Sequence, residues 1–222
     1  MYTLHIANKN YSSWSLRPWL LMEHLQIPFE EVLHVFNQEK FNTFSPTALV
    51  PCLNDGARVI WESLAIVEYL AENHPAVWPW NKVARAWARS ATAEMHAGFN
   101  ALRDGCSMSC GVRVKLFEQT EELQKDLRRL DQLWCDGLKQ FGGPFLAGEI
   151  FTAVDAFYAP MVFRQQTYGF QLSDQAMAYI QLLLDLPAMQ AWYGAALAEP
   201  WRDEPHDGLI RTRGEIVADL RA

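Results

Sequence analysis

Apolar and polar positions first alternate and later recur at longer intervals, with the change falling near residue 83. Residues 2 to 7 alternate and include β-branched and aromatic side chains, which predicts a strand. A polar loop from Asn8 to Ser13 leads into Leu16 to Leu25, where the spacing predicts a helix with Pro18 in its first turn and a stop at Ile27-Pro28. Glu30 to Phe36 alternates again, giving a second strand that can run parallel to the first. Gln38 to Phe44 reads as an irregular helical stretch, and Ser45-Pro46 breaks it. Two short strands then flank Asn54-Asp55-Gly56, a hairpin signal, and a helix over 63–73 closes the unit at Pro75. The order is βαβ-α-ββα, an α/β unit over residues 1–75.

A linker is placed at 76–82, and 83–222 is predicted to be all-helical. Leu116, Leu123, Leu127, Leu130, Trp134 and Leu138 recur at helical intervals until Gly142-Gly143-Pro144 stops the run. Thr152-Ala153-Val154-Asp155 carries the capping-box spacing, so Asp155 is read as a helix initiator. Cys106 and Cys110 lie four apart, on one predicted helical face, and read as buried inert thiols.

Composition narrows the function classes. Half of the 222 residues are apolar, enough for a well-buried core. The formal charge of −7, without any clustered Lys/Arg excess, argues against nucleic acid or an anionic membrane as partner. No apolar run reaches spanning length and no signal-like segment opens the chain, which leads to the expectation of a cytoplasmic protein. Four cysteines without CxxC spacing imply reduced thiols, and histidines without HxxxH spacing imply no metal. The nine tryptophans are scattered and read mostly as packing residues.

Candidate chemistry gathers in the first 75 residues. Glu62-Ser63, directly before an amphipathic helical run, puts a carboxylate, a hydroxyl and free backbone N–H groups at one helix end, which suits an anionic ligand. Val50-Pro51 lies upstream, and Tyr11-Ser12-Ser13 precedes the first helix. These motifs, in this order within βαβ-α-ββα and followed by Thr152-x-x-Asp155, resemble the cytosolic glutathione S-transferases over essentially the whole chain. Ser12-Ser13-Trp14-Ser15-Leu16-Arg17 is nearest to the serine-type zeta class, whose loop reads Ser-Ser-Cys-Ser followed by Trp-Arg.

The resemblance implies a thioredoxin-like domain binding glutathione and a helical domain completing a pocket for a hydrophobic second substrate. Ser12 falls on the thiol-activating serine, with Ser13 second and Tyr11 third. It implies a cis Val50-Pro51 bond, with the Val50 backbone pairing to the cysteinyl segment of glutathione. Ser63 and its helix end would take the γ-glutamyl carboxylate, and Glu62 the ammonium. Leu49 departs from the polar residue that relatives often carry there, so Gln38 or Lys40 is expected at the glycyl end. Trp14, Met95, Phe99 and Arg103 are candidates for the second pocket. Lowering a thiol pKa by about two units takes roughly 2.7 kcal/mol of preference for the thiolate, within reach of one hydroxyl and a helix end. The implied activity is attack of that thiolate on an electrophile, or a zeta-like isomerisation, in a homodimer. The rivals are a non-enzymatic interaction protein of the same fold and a glutathione-dependent peroxidase or thiol reductase, the latter disfavoured because Trp14 stands where those loops carry cysteine.

Overall fold

A computed structural model describes all 222 residues. In it β1 (Tyr2–Ala7) is an inner strand of a four-stranded sheet in the order β2-β1-β3-β4. It pairs in parallel with β2 (Phe29–His34), from Tyr2 against Phe29 to Ala7 against His34. On its other side it runs antiparallel to β3 (Cys52–Asp55), Leu4 opposite Leu53, and β4 (Arg58–Trp61) forms the edge through the Asp55-Gly56 turn. Helices α1 (Ser13–His24) and α2 (Ser63–Ala71) complete a βαβ-ββα order that matches the expectation except between β2 and β3.

Two local expectations change. The first helix begins at Ser13, earlier than its apolar spacing indicated, so Pro18 sits in the second turn and leaves the Trp14 carbonyl without its amide donor. The segment 38–44 forms turns and a single 3₁₀ turn at Phe41–Thr43, because so short a polar stretch has no apolar face to hold a helix down.

The second half is built from α3 (Lys82–Ala97), α4 (Asn100–Gly105), α5 (Glu121–Phe141), α6 (Ala153–Tyr168), α7 (Asp174–Leu184), α8 (Pro187–Ala198) and α9 (Glu204–Arg213). One addition corrects the all-helical expectation: β5 (Val112–Leu116) and β6 (Gly214–Asp219) pair as an antiparallel ribbon. Leu116 therefore belongs to a strand, and α5 starts only at Glu121, capped by the Thr120 hydroxyl, which accepts from Leu123 N at 3.2 Å. The alternation in β5 spans five residues and its partner lies near the other end of the chain, beyond the reach of any local window. Cys106 terminates α4 and Cys110 lies in the loop after it, so the two share no helix face, although both are buried. No helix is long and apolar enough to cross a membrane.

Helix α6 is buried on every side and packs against α1 and α3, which makes it the axis of the core. Its start is the predicted Thr152/Asp155 capping box. Asp155 is fully buried and also reaches beyond the helix, accepting from Thr152 N at 2.9 Å, Leu146 N at 3.0 Å and the Tyr179 hydroxyl at 3.0 Å. Burial lifts its carboxyl from 3.8 to about 6, against the pull of those donors. Asp155→Ala strands three buried donors and should cost about 3 kcal/mol in urea unfolding. Because the folded-state pKa is the higher one, the wild-type margin is greatest below pH 4 and narrows as pH rises through about 6.

Candidate active site

The loop between β1 and α1 is held by atoms from far along the chain. The buried carboxylate of Glu199 accepts from Lys9 N at 2.6 Å and Asn10 N at 3.2 Å, and Trp192 Nε1 donates to Lys9 O at 2.9 Å. The Asn10 side chain donates to Ser109 Oγ and accepts from Gly111 N. This fixes the exit of the loop, where Ser12, Ser13 and Trp14 form the N-terminal end of α1 and line a cavity of about 520 Å³. Unpaired amides and the helix dipole favour an anion at such an end.

Ser12 is buried, and its hydroxyl does not cap the helix. It donates to Ser15 Oγ at 2.7 Å, which in turn accepts from Ala7 N at 3.2 Å. Ser13 is half-buried beside it, and its hydroxyl has no partner within the chain. Tyr11 contributes to the same wall, yet its hydroxyl turns away: it donates to Asp207 at 3.2 Å and accepts from Arg221 at 2.8 Å. Burial raises its pKa, so the hydroxyl keeps its proton, and that proton is given to Asp207 and not to the cavity.

The second group of expected residues lies around a smaller, adjoining cavity of about 240 Å³ lined by Trp14, Thr47, Leu49, Val50, Pro51 and Glu62. The Val50-Pro51 bond is cis, and Val50 lies outside the strands with neither its N–H nor its C=O in a backbone hydrogen bond. Glu62 adopts φ +68° immediately before α2, a region that non-glycine residues rarely enter, and its side chain is exposed. Ser63 is completely buried and its hydroxyl has no hydrogen-bond partner. A buried hydroxyl left alone costs about 1–3 kcal/mol, so its place beside the free amides of a helix start fits a ligand carboxylate.

The far wall of the larger cavity comes from α4, the loop after it and α6. Arg103 lines it as expected, whereas Met95 and Phe99 do not: both are buried in the core, and Arg164, Ser107 and Met108 take the wall instead. Arg103 uses Nη1 on the carbonyls of His96 and Gly98, and Arg164 uses Nε and Nη1 on those of Cys106 and Pro160. Neither guanidinium is within salt-bridge distance of a carboxylate, and burial pushes both down, Arg164 to about 10. A third, Arg17, is wholly buried with Nε and Nη1 unpartnered, its charge 4.0 Å from the Trp14 ring and 4.7 Å from that of Phe157. Arg103 lies 4.8 Å from the Trp14 ring, so one indole interacts with two cations.

Gln38 and Lys40 are exposed and line neither cavity, while their neighbours Asn37 and Glu39 do. The backbone of that turn, with Asn37 at φ +63°, decides which side chains face inward, and no periodicity records it. Arg164 was hidden inside a helix that reads as pure packing, and His206 in a C-terminal segment without a motif. The signal available for Arg164 is a charged residue on a helix that is apolar all round. No group of three or more His, Cys, Asp or Glu is arranged to hold a metal.

Residues 11–73 match the family description Glutathione S-transferase, N-terminal domain, and residues 85–195 match Glutathione S-transferase, C-terminal domain. The sequence is 27% identical over 192 residues to a probable maleylacetoacetate isomerase of Caenorhabditis elegans, covering 81% of this chain and 86% of that protein. Among solved structures the fold is similar to a glutathione transferase homologue from Burkholderia with bound glutathione (TM-score 0.68, 22% identity, 88% of this chain and 97% of that one). It is also similar to the theta-class enzyme of Xanthomonas axonopodis pv. citri with glutathione bound (TM-score 0.64, 22% identity, 86% and 96%). With both family descriptions matched along most of its length, and a serine-bearing helix end facing a cis-proline, this chain belongs to the glutathione S-transferase family.

Proposed function

We propose that the chain is a serine-type glutathione transferase whose second substrate is a small electrophile bearing a carboxylate. The observation that carries the substrate class is the pair Arg103 and Arg164, two guanidiniums on one cavity wall with no carboxylate within salt-bridge distance. A carboxylate there supplies the missing counter-charge in a partly desolvated site, where such a contact contributes about 1.5–3 kcal/mol. The C. elegans relative carries the name of an isomerase of such an acid, which agrees with this reading.

Glutathione lies with its γ-glutamyl end at Glu62 and Ser63, its cysteinyl backbone along Val50 and its sulfur at the N-terminus of α1. The Ser12 hydroxyl, rotated away from Ser15, donates a hydrogen bond to the sulfur, and together with the helix end this favours the thiolate, the thiol proton passing to solvent. The thiolate then displaces a leaving group such as chloride, forming a C–S bond as the C–Cl bond breaks. With a conjugated keto acid it adds to the alkene, the electron pair moves to the carbonyl oxygen, the former double bond rotates, and collapse expels the thiolate. Glutathione is consumed in the first case and returned in the second. A homodimer in a cytoplasmic setting, where glutathione is plentiful, belongs to the same proposal.

Ser12→Ala should raise the pKa of enzyme-bound glutathione by about one to two units, followed by thiolate absorbance near 240 nm. The rate of conjugation to 1-chloro-2,4-dinitrobenzene would then fall about 10–100-fold at pH 6.5 and much less at pH 9, since solvent base makes up the thiolate there. An unchanged Ser12→Ala alongside a crippled Ser13→Ala would move the role to Ser13.

For the second cavity, Arg103→Met and Arg164→Met should each lower kcat/KM for 4-chloro-3,5-dinitrobenzoate by about tenfold or more, while 1-chloro-2,4-dinitrobenzene changes less than about threefold. Equal losses on the charged and uncharged electrophiles would sink the carboxylate assignment.

The thiol-reductase alternative needs a reactive cysteine at the site, and none lines either cavity. Burial pushes the Cys106 thiol up to about 12 and raises Cys110 and Cys52 as well. Brief iodoacetamide treatment of the native protein at pH 8, read by mass spectrometry, should therefore label the half-buried Cys135 ahead of the other three.

A further inference from the structure

Glutathione has one charged end that the site so far leaves unserved. With the γ-glutamyl end at Ser63 and the cysteinyl backbone along Val50, the linear tripeptide continues past Val50 toward Leu49 and Ala48, which border the larger cavity. Leu49 is 60% exposed and offers no polar atom from its side chain, and Gln38 and Lys40 point elsewhere. Opposite this stretch the cavity is closed by Phe36, Asn37 and a residue from the other half of the chain, His206 in the first turn of α9.

The imidazole of His206 is fixed on three sides. Its ring lies 5.2 Å from that of Tyr11 and 5.3 Å from that of Phe36, and its Nδ1 is hydrogen-bonded to Asp203. Asp203 is buried, and its second oxygen accepts from Asn37 Nδ2 at 2.5 Å, so a single carboxylate orients both the histidine and the loop beyond β2. With Nδ1 bonded to Asp203, the ring nitrogen Nε2 has no partner in the chain, and the ring borders the cavity. As imidazolium it presents an N–H donor and a positive charge there, with Asp203 balancing it from behind.

We propose that His206 receives the glycyl carboxylate of glutathione, an assignment that rests on the glutathione site proposed above. The C-terminal helix thereby completes a pocket otherwise built from the first 75 residues. The charges facing the ring are consistent with this. Asp203 is hydrogen-bonded to it, Asp207 is neutralised by Arg221 at 2.8 Å, Tyr11 is spent on that pair, and Glu39 is tied to His34 at 2.6 Å. The cations Arg103 and Arg164 stand on the far wall of the cavity, on α4 and α6, and are assigned above to the second substrate. The contact is therefore between the ligand and the imidazole that Asp203 holds from behind.

The test is calorimetric titration of wild type, His206→Ala and His206→Arg with glutathione and with γ-glutamylcysteine, which lacks the glycyl residue. Wild type should prefer glutathione by about tenfold. His206→Ala should lose that preference while binding γ-glutamylcysteine within about twofold of wild type, and His206→Arg should restore it. Should His206→Ala not fold, wild type alone decides, since glutathione monoethyl ester, with the glycyl charge removed, should bind about as weakly as γ-glutamylcysteine. Equal affinity of wild type for both thiols would overturn the assignment, as would a parallel loss of both in His206→Ala. Wild type that binds neither thiol at millimolar concentration takes down the glutathione site itself, and this assignment with it.

Discussion

The site depends on a carboxylate that touches no part of either cavity. Glu199, at the end of α8, accepts two consecutive amides of the loop before α1, and it is buried while doing so. Burial alone pushes its carboxyl up from the ordinary value, and the Lys9 and Asn10 amides pull it back toward the ionised form. Asn10, Trp192 and the Cys110 amide add bonds between the same loop and the second half of the chain. Ser12 and Ser13 thus take their positions less from the strand and helix they connect than from a surface contributed by residues 109–111 and 192–199. The two halves meet through backbone polar groups that have no other partners, which makes the junction specific in register as well as in area.

A second logic runs through the buried polar groups that lack partners. Ser63 Oγ is unpartnered at the start of α2 and the Val50 backbone is free of backbone hydrogen bonds, the guanidiniums of Arg103 and Arg164 line the larger cavity with no carboxylate within salt-bridge distance, and Arg17, with Nε and Nη1 unpartnered, stands behind Trp14. Other buried polar groups are satisfied, since Asp155 accepts three donors, Tyr158 donates to Ala91 O and Thr167 bonds two carbonyls, while Thr92 Oγ1 and Trp134 Nε1 in the core have no partner. Arg17 supports the Trp14 indole from below while Arg103 meets the same ring, and Trp14 divides the two cavities.

Local chemistry made much of this readable in advance. The Asn54-Asp55-Gly56 turn, the Thr152/Asp155 cap and the helix start at Ser63 are each determined within a few residues, and the structure contains all three. What a local reading missed is set by distant partners or by backbone dihedrals. The ribbon of β5 and β6 exists because two short segments meet across most of the second half. The turn at Asn37 sends Asn37 and Glu39 inward and their neighbours Gln38 and Lys40 out. Met95 and Phe99 have the spacing of a pocket wall, but they are absorbed into the core, and Arg164, one turn beyond Pro160 in α6, takes that position. His206 acquires meaning only once α9 is folded back over Tyr11.

The solitary hydroxyl of Ser63 also bears on the lifetime of the protein. A fully buried oxygen with no partner is costly, and in the proposed site a tripeptide that satisfied it, along with the Val50 backbone, would bind the folded chain and not the unfolded one. Stability then grows with the logarithm of thiol concentration, by about 1.4 kcal/mol for each tenfold excess over the dissociation constant. In the proposed site glutathione would become in this sense a removable part of the core. A cell drained of it by oxidative or electrophilic stress would keep less of this protein folded at the moment its chemistry is most in demand.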